Sequence, residues 1–125
     1  MVDYVSLHNH THYSILDSLI SPNDLFSKAK ELGQKAIAVT DHGSLAGAWD
    51  ALKASKAQGV KLIIGCEMYF LDDVSKKEQK FRHVVLLAKN QIGYSNLLKL
   101  NKEGFDNSAI FAKRVYPLID WGMLE

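Results

Sequence analysis

Cysteine, proline and long apolar segments are all scarce in this sequence. It contains one cysteine, Cys66, and two prolines. A single thiol excludes an internal disulfide, which is typical of proteins from a reducing compartment. The longest apolar runs, such as residues 84–88, are far shorter than the ~20 residues that cross a bilayer. The start of the chain also has no basic segment followed by a long apolar one, as a signal peptide would. We therefore expect a cytoplasmic protein with no membrane partner.

A strong charge of either sign is also lacking. The 15 basic and 14 acidic side chains leave a formal net charge of +1. Such a chain has no strong field to attract nucleic acid or a membrane surface, so any contact with DNA would be local or made by other parts of a longer protein. The hydrophobic content of 47% is enough for one globular domain with a core.

Strand and helix patterns alternate along the chain. The predicted strands span residues 4–7, 36–40, 61–70 and 81–89. The first helix is expected to begin at Ser21 and end at Gly33, the second to end at Gly59, and the third to begin after Asn90 and end near Gly104. Nearly all-apolar strands between helices predict a parallel α/β architecture.

Two segments depart from this pattern, and a few large side chains are expected in the core. Residues 72–80 are charged and predict an exposed loop, whereas residues 105–125 carry little pattern beyond a possible helix start near the end. We expect Trp49, Phe26 and Tyr94 to be buried.

Three of the five histidines fall within residues 8–12, directly after the first predicted strand. An alternating His8-x-His10 sends both imidazoles to the same side of an extended backbone. Asp17 lies a turn away, and imidazole with carboxylate is a donor set typical of metal sites. The alternative is a polar loop that happens to contain histidines.

Ligand-type residues also follow the next two predicted strands. Asp41 and His42 come after the second strand, and Glu67 lies late in the third. In parallel α/β folds functional groups gather at the carboxyl ends of strands, so these side chains are predicted to share one rim. Glu67 could instead be an exposed strand residue, but Cys66 and Met68 are predicted to be buried on the opposite face.

These motifs together resemble the PHP (polymerase and histidinol phosphatase) domain family. The first three motifs are Leu7-His8-x-His10-x-x-Tyr13-Ser14-x-x-Asp17, Thr40-Asp41-His42-Gly43 and Gly65-Cys66-Glu67. The fourth, Arg82-His83-Val84-Val85-Leu86-Leu87-Ala88-Lys89-Asn90 followed by Gly93-Tyr94-x-Asn96-Leu97, is similar to the branch found in bacterial replicative DNA polymerase III α subunits. The likeness covers nearly the whole chain.

The resemblance implies a partial distorted β/α barrel, TIM-like and of the PHP type, with about four strands and alternating helices. A full β/α barrel needs roughly 250 residues. Residues 1–125 are therefore expected to be the N-terminal portion of a single PHP domain, with the later strands and ligand motifs beyond the chain.

The resemblance also implies a set of six metal ligands: His8, His10, Asp17, His42, Glu67 and His83. Asp41 is expected to orient a ligand imidazole, and His12, at a variable position of the motif, is a possible extra ligand but is expected to be exposed. His83 begins its strand, so in a parallel sheet it would face away from the others. Either the preceding loop folds over the site, or the resemblance misleads at this residue.

The implied cofactors are up to three divalent ions, with zinc, manganese and iron left open. The implied reaction is phosphoester hydrolysis by hydroxide formed from water at the ions, with no side chain identified as the catalytic group. In a polymerase this would be 3′–5′ removal of nucleotides, and the partners would be DNA and other replicase subunits. We expect the 125-residue chain alone to hold a weaker, partial cluster with little activity.

Two other functions stay open. One is a stand-alone metal-dependent phosphatase resembling histidinol phosphatase, and the other is a non-catalytic structural module. An incomplete barrel would also expose a sheet edge, through which the fragment could self-associate.

Overall fold

The computed structural model describes residues 4–76 and 80–124, which form a mixed α/β fold. The helices are α1 (Pro22–Glu31), α2 (Ala48–Gln58) and α3 (Gln91–Asp106). The strands are β1 (Ala36–Val39), β2 (Lys61–Phe70), β3 (Arg82–Leu87), β4 (Ala109–Phe111), β5 (Arg114–Tyr116) and β6 (Leu118–Ile119). About four strands were predicted, and the described residues form six, of which four make up the main sheet and two a separate hairpin. None of the described helices is long and apolar enough to cross a membrane.

The long strand β2 organises the main sheet. Its first half, residues 61–64, pairs with β1 in parallel, and its second half, residues 65–70, pairs with β3 in an antiparallel ladder. β6 adds to the end of β2 in parallel. The prediction of a strictly parallel sheet is therefore wrong at β3. Parallel neighbours need a crossover of a dozen or more residues, usually a helix, and the described residues of this connection, 71–76 and 80–81, form only one short 3₁₀ turn, Val74–Lys76.

The strand predicted at residues 4–7 is reduced to one parallel bridge between Ser6 and Ile37. Side chains replace the missing ladder. The Ser6 N–H donates to Oε1 of Gln34 at 3.1 Å, and the Asn9 amide donates to the carbonyls of Ser6 and Ala38 at 3.3 and 3.0 Å. These bonds still hold the segment beside β1.

The predicted ends of α1 and α2 are confirmed. Oγ of Ser21 accepts the Asp24 N–H at 3.1 Å, as a helix N-cap does. Gly33 follows α1 with φ +74°, and Gly59 caps α2 with φ +71°, in the left-handed region that favours glycine. The main core between these helices and the sheet contains Leu25, Phe26, Ala29, Ile37, Val39, Ala51, Ala54 and Val60.

Trp49 contradicts its prediction, since 68% of the residue is exposed. α2 buries the small residues Ala51 and Ala54 instead. Two helical positions separate Trp49 from Ala51, a rotation of about 200°, so the indole is on the other side of the helix from the core. Small side chains on the buried face let α2 pack closely against α1.

The Asn90 cap of α3 is confirmed, because its Oδ1 accepts the Gly93 N–H at 2.9 Å. The helix continues past Gly104 to Asp106, so its predicted end is two residues early. A Cβ at Gly104 would lie 3.4 Å from Pro117 and from Ile119, which indicates that the chain end packs closely there.

The weakly patterned end of the chain is ordered into strands. β4 and β5 form a hairpin, and β6 follows directly. The helix predicted near the end is only a short 3₁₀ turn, Trp121–Met123. Within the predicted loop at 72–80, residues 77–79 lie outside the described residues.

Candidate metal centre

Two imidazoles from the loop after the Ser6 bridge converge on one carboxylate of β2. Nε2 of His8 and Nε2 of His10 each lie 2.5 Å from Oε2 of Glu67. The two nitrogens lie 3.2 Å from each other. The Glu67 side chain is 7% exposed, so this oxygen is held where little water competes for it.

Asp17 and His42 extend this cluster on its other side. Oδ2 of Asp17 is hydrogen-bonded to Nδ1 of His10 and lies 3.2 Å from Nε2 of His42. Nδ1 of His42 is 3.8 Å from Oε2 of Glu67, too far for a hydrogen bond. Among the described residues, this nitrogen is the buried side-chain polar atom that has no hydrogen-bond partner. A buried acceptor or donor left without a partner is costly and needs an explanation, such as an ion or a water molecule bound there.

The antiparallel ladder brings His83 to the same place. His83 stands opposite Tyr69, which is two residues from Glu67 and therefore on the same face of β2. Nδ1 of His83 lies 3.8 Å from Oε1 of Glu67. The start of an antiparallel strand meets the end of its neighbour, so neither a folded-over loop nor a misleading resemblance is needed to explain its position.

Asp41 was predicted to orient a ligand imidazole, but its carboxylate bonds to Thr11 and Ser14 instead. Its Oδ1 accepts the Thr11 N–H at 2.6 Å and the Ser14 hydroxyl at 2.7 Å, and its Oδ2 accepts the Thr11 hydroxyl at 2.9 Å. Ser14 Oγ in turn accepts the His42 N–H at 3.1 Å. Asp41 is only 2% exposed. Its carboxylate fixes the backbone of the loop that carries His8, His10 and Asp17.

Thr11 and Ser14 are positioning residues that the sequence analysis missed. Both are buried, with exposures of 0% and 3%. Ser14 belongs to the first motif, but the motif alone predicts no role for its hydroxyl. The signal in the sequence was the presence of two hydroxyl residues among charged ligand-type residues. Such hydroxyls need hydrogen-bond partners when they are buried.

His12 lies apart from the cluster, and its side chain is exposed. Its ring packs against Tyr13 at a centroid distance of 4.9 Å and borders a different depression, near α1 and α2. The possible extra ligand is therefore not brought together with the other six residues.

The electrostatics of the cluster keep its carboxylates ionised. The hydrogen bond from His10 lowers the pKa of Asp17. Burial raises the pKa of Glu67, but the hydrogen bonds from His8 and His10 outweigh it, and the pKa is lowered overall. Ionised carboxylates are the form that binds a cation.

The histidines respond in opposite ways. Burial lowers the pKa of His10, but hydrogen bonds to Asp17 and Glu67 outweigh burial and leave it raised. Burial lowers the pKa of His42, and the nearby charge of His10 lowers it further. His42 is thus favoured in the neutral form that metal coordination requires.

The donor atoms form three overlapping groups, each with all its atoms within 4.8 Å of one another. These groups are His8–His10–Glu67, His10–Asp17–His42 and His42–Glu67–His83. Imidazole nitrogens and carboxylate oxygens suit zinc, manganese and iron, so the residues present fit a cluster of divalent ions. Beside them, a cavity of about 470 Å³ opens between the loop at residues 13–17 and the β4–β5 hairpin.

The comparisons with known proteins agree with this geometry. The family model of the PHP domain matches residues 6–125. DNA polymerase III subunit alpha of Aquifex aeolicus is 40% identical, with 98% of this chain and 11% of that protein covered. The same subunit of Campylobacter jejuni is 41% identical, with 100% and 10% covered. The chain thus spans about a tenth of the length of these curated relatives.

Solved structures share the fold. A protein of Bifidobacterium adolescentis named as a metal-dependent phosphoesterase has a TM-score of 0.58 and 26% identity, with 82% of this chain and 37% of that chain covered. An amidohydrolase from Chromobacterium violaceum has a TM-score of 0.57 and 20% identity, with 82% and 34% covered. The second likeness concerns the fold alone.

Proposed function

Because the chain belongs to the PHP domain family, we propose that its histidine–carboxylate cluster binds divalent ions for phosphoester hydrolysis. The wider protein proposed here is a DNA polymerase III α subunit, since the curated relatives carry that name. Residues 1–125 would then be the N-terminal portion of one PHP domain and form part of a β/α barrel. The partners proposed from that role are DNA and other replicase subunits, and the location proposed from it is the cytoplasm.

The observation that carries the proposal is the convergence of donor atoms from four separate segments. His8, His10 and Asp17 come from one loop, His42 follows β1, and Glu67 and His83 come from β2 and β3. A polar loop that merely contains histidines gives no reason for carboxylates and imidazoles from distant segments to meet. The unpartnered Nδ1 of His42 is explained if it binds a cation.

The proposed ligands are the six predicted ones: His8, His10, Asp17, His42, Glu67 and His83. When bound, divalent ions would supply Lewis-acid activation of the phosphoester and of the attacking water. The protein's part is to hold the donors in position before any substrate arrives.

Positioning depends on the network around Asp41. Its carboxylate fixes Thr11 and Ser14, and Ser14 fixes the backbone N–H of His42. One buried carboxylate therefore connects the loop that carries three donors with the segment that carries a fourth. Outer groups of this kind hold ligands in geometry and typically change metal affinity by about 10–100-fold when removed.

The test is metal uptake by the purified chain, measured by titration with zinc and with manganese and by elemental analysis after gel filtration. A double variant, His8→Gln with His10→Gln, is compared with His12→Gln, which removes a histidine that lies outside the cluster. We expect the double variant to lose most of the metal and His12→Gln to match the wild type. Hydrolysis of a chromogenic phosphodiester, measured on the same samples, shows whether the donors present also support turnover.

Two outcomes would contradict the proposal. One is a wild-type chain that takes up neither ion. The other is equal uptake by the double variant and by His12→Gln, which would place the metal elsewhere. Thermal unfolding of each variant separates loss of ligands from loss of fold.

A further inference from the structure

Arg114 lies at the start of β5 and borders the cavity beside the donor cluster. The same cavity is lined by Asp17, His42 and His83. Among the described residues that line it, Arg114 is the one with a permanent positive charge. The other lining residues are apolar, aromatic, hydroxyl-bearing, acidic or histidine, so Arg114 is the group there best suited to bind an anion.

A chain of ring contacts connects this arginine with the donors. The guanidinium carbon lies 5.9 Å from the ring centre of Tyr116, and Tyr116 packs against Tyr69 at 5.1 Å. Tyr69 stacks on His42 at 5.9 Å and contacts His83 at 5.1 Å.

The hairpin register explains why Arg114 faces inward. Arg114 stands opposite Phe111, and Tyr116 lies two residues further on, so these three share one face of the hairpin. The other face carries Ile110 and Val115, which are 71% and 52% exposed. Val115 also borders the cavity, but Tyr116 contacts Tyr69 at 5.1 Å and Phe111 contacts Phe81 at 6.1 Å. The face with Arg114 is therefore the one turned towards Tyr69 and the donors.

The turn that sets this register is under strain. Ala112 and Lys113 both adopt positive φ, +48° and +65°, in a two-residue hairpin turn where glycine or asparagine is the usual choice. Residues with a Cβ pay a steric cost in the left-handed region. A hairpin that keeps this turn holds Arg114 at a defined place over the cavity.

The present contact of Arg114 leaves its guanidinium available. Nη2 donates to the carbonyl of Ile15 over 3.5 Å, the outer limit of a hydrogen bond, and the side chain is exposed. A planar guanidinium can donate two parallel hydrogen bonds to a phosphate, which are shorter and stronger because both partners are charged. A phosphate would therefore displace the carbonyl at little cost.

We propose that Arg114 is the phosphate-binding cation of the cavity, which positions a phosphoryl group between its guanidinium and the donor cluster. This inference rests on the proposed phosphoesterase function for the identity of the ligand. It assigns Arg114 a substrate-binding role, since the guanidinium would bind the substrate anion and take no part in bond making or breaking.

The test uses inorganic phosphate as the probe, titrated calorimetrically into the whole chain with and without bound zinc. Arg114→Gln is compared with Lys113→Gln, because each removes one positive charge from the same hairpin. We expect phosphate affinity to fall at least tenfold in Arg114→Gln and to change less than twofold in Lys113→Gln. Zinc content and the thermal midpoint should stay at their wild-type values in both.

A further variant, Arg114→Lys, distinguishes charge from geometry. Lysine keeps the charge but loses the planar pair of donors, so we expect it to restore part of the affinity. This recovery also shows that the loss in Arg114→Gln is not caused by misfolding, because the effect of a purely structural role would not depend on the charge of the side chain.

The outcomes separate this inference from the function on which it rests. No phosphate binding by the wild-type chain, or equal affinities in Arg114→Gln and Lys113→Gln, would overturn the role of Arg114. A wild-type chain that takes up no zinc would instead overturn the proposed function. In that case the zinc-free titrations still decide whether Arg114 binds the anion.

Discussion

The two faces of β2 have opposite surroundings although their residues alternate along one strand. Glu67 and Tyr69 face the imidazoles of the candidate metal centre. Cys66, Met68 and Phe70 face a core cluster with Leu100 and Ile119. A shift of the strand register by one residue would therefore put a buried apolar side chain where the hydrogen-bonded carboxylate now lies.

The difference shows that the fold and the site depend on the sequence in different ways. The apolar face is stabilised by removal of side chains from water, and its residues could change within limits of volume. The polar face depends on individual atoms, since Oε2 of Glu67 contacts two imidazoles at 2.5 Å each. We therefore expect substitutions on the two faces to affect different properties.

The largest effect is expected for Glu67→Gln. This substitution keeps the size of the side chain but removes its charge. Glu67 belongs to two of the three donor groups and lies next to the third, so we expect zinc affinity to fall by more than about 100-fold. Asp50→Asn, which neutralises a carboxylate bonded to Tyr13 and Lys53 away from the centre, is the control. Zinc titration measures both. Wild-type affinity in Glu67→Gln would show that this face does not bind the metal.

The opposite face is tested by Met68→Ala. Met68 is fully buried, and loss of its side chain should lower the free energy of unfolding by about 2–5 kcal/mol. Urea denaturation measures this, with Ile92→Ala as the control because Ile92 is 71% exposed on α3. Zinc stoichiometry per folded chain should not change. A change in stoichiometry without loss of stability would contradict the division between the faces.

Much of this division could be predicted from the sequence. The sequence correctly predicted that Cys66 and Met68 are buried on the face opposite Glu67. The capping residues Ser21 and Asn90 and the helix-ending glycines were also readable, because each acts within a few residues of itself. Local signals of this kind do not depend on how distant segments meet.

The rest depended on long-range pairing. The direction of β3 is set by the short connection from β2 and by its ladder, which no local pattern reveals. The exposure of Trp49 depends on which face of α2 meets α1. Arg114 lies in a segment without periodicity, and it reaches the cavity only because a hairpin turns it there.

His83 tests that pairing directly, with a smaller effect than Glu67. Its Nδ1 is 3.8 Å from Glu67, further than the imidazoles of His8 and His10. We expect His83→Gln to weaken zinc binding by about tenfold or to remove one ion of several, while Glu67→Gln weakens it more. Elemental analysis across a zinc titration measures both quantities. A variant that binds zinc like the wild type would exclude His83 from the ligand set.

The smallest effect is expected at Cys66, one residue from Glu67. Burial raises the pKa of its thiol to about 12, and the residue is 0% exposed. Only the thiolate reacts or binds metal readily, so at pH 8–9, well below that pKa, few molecules carry it. We expect a thiol reagent to label Cys66 slowly in the folded chain and rapidly in urea, and Cys66→Ala to bind zinc like the wild type. Rapid labelling of the folded chain, or weaker zinc binding by Cys66→Ala, would mean that the two faces of β2 are not independent.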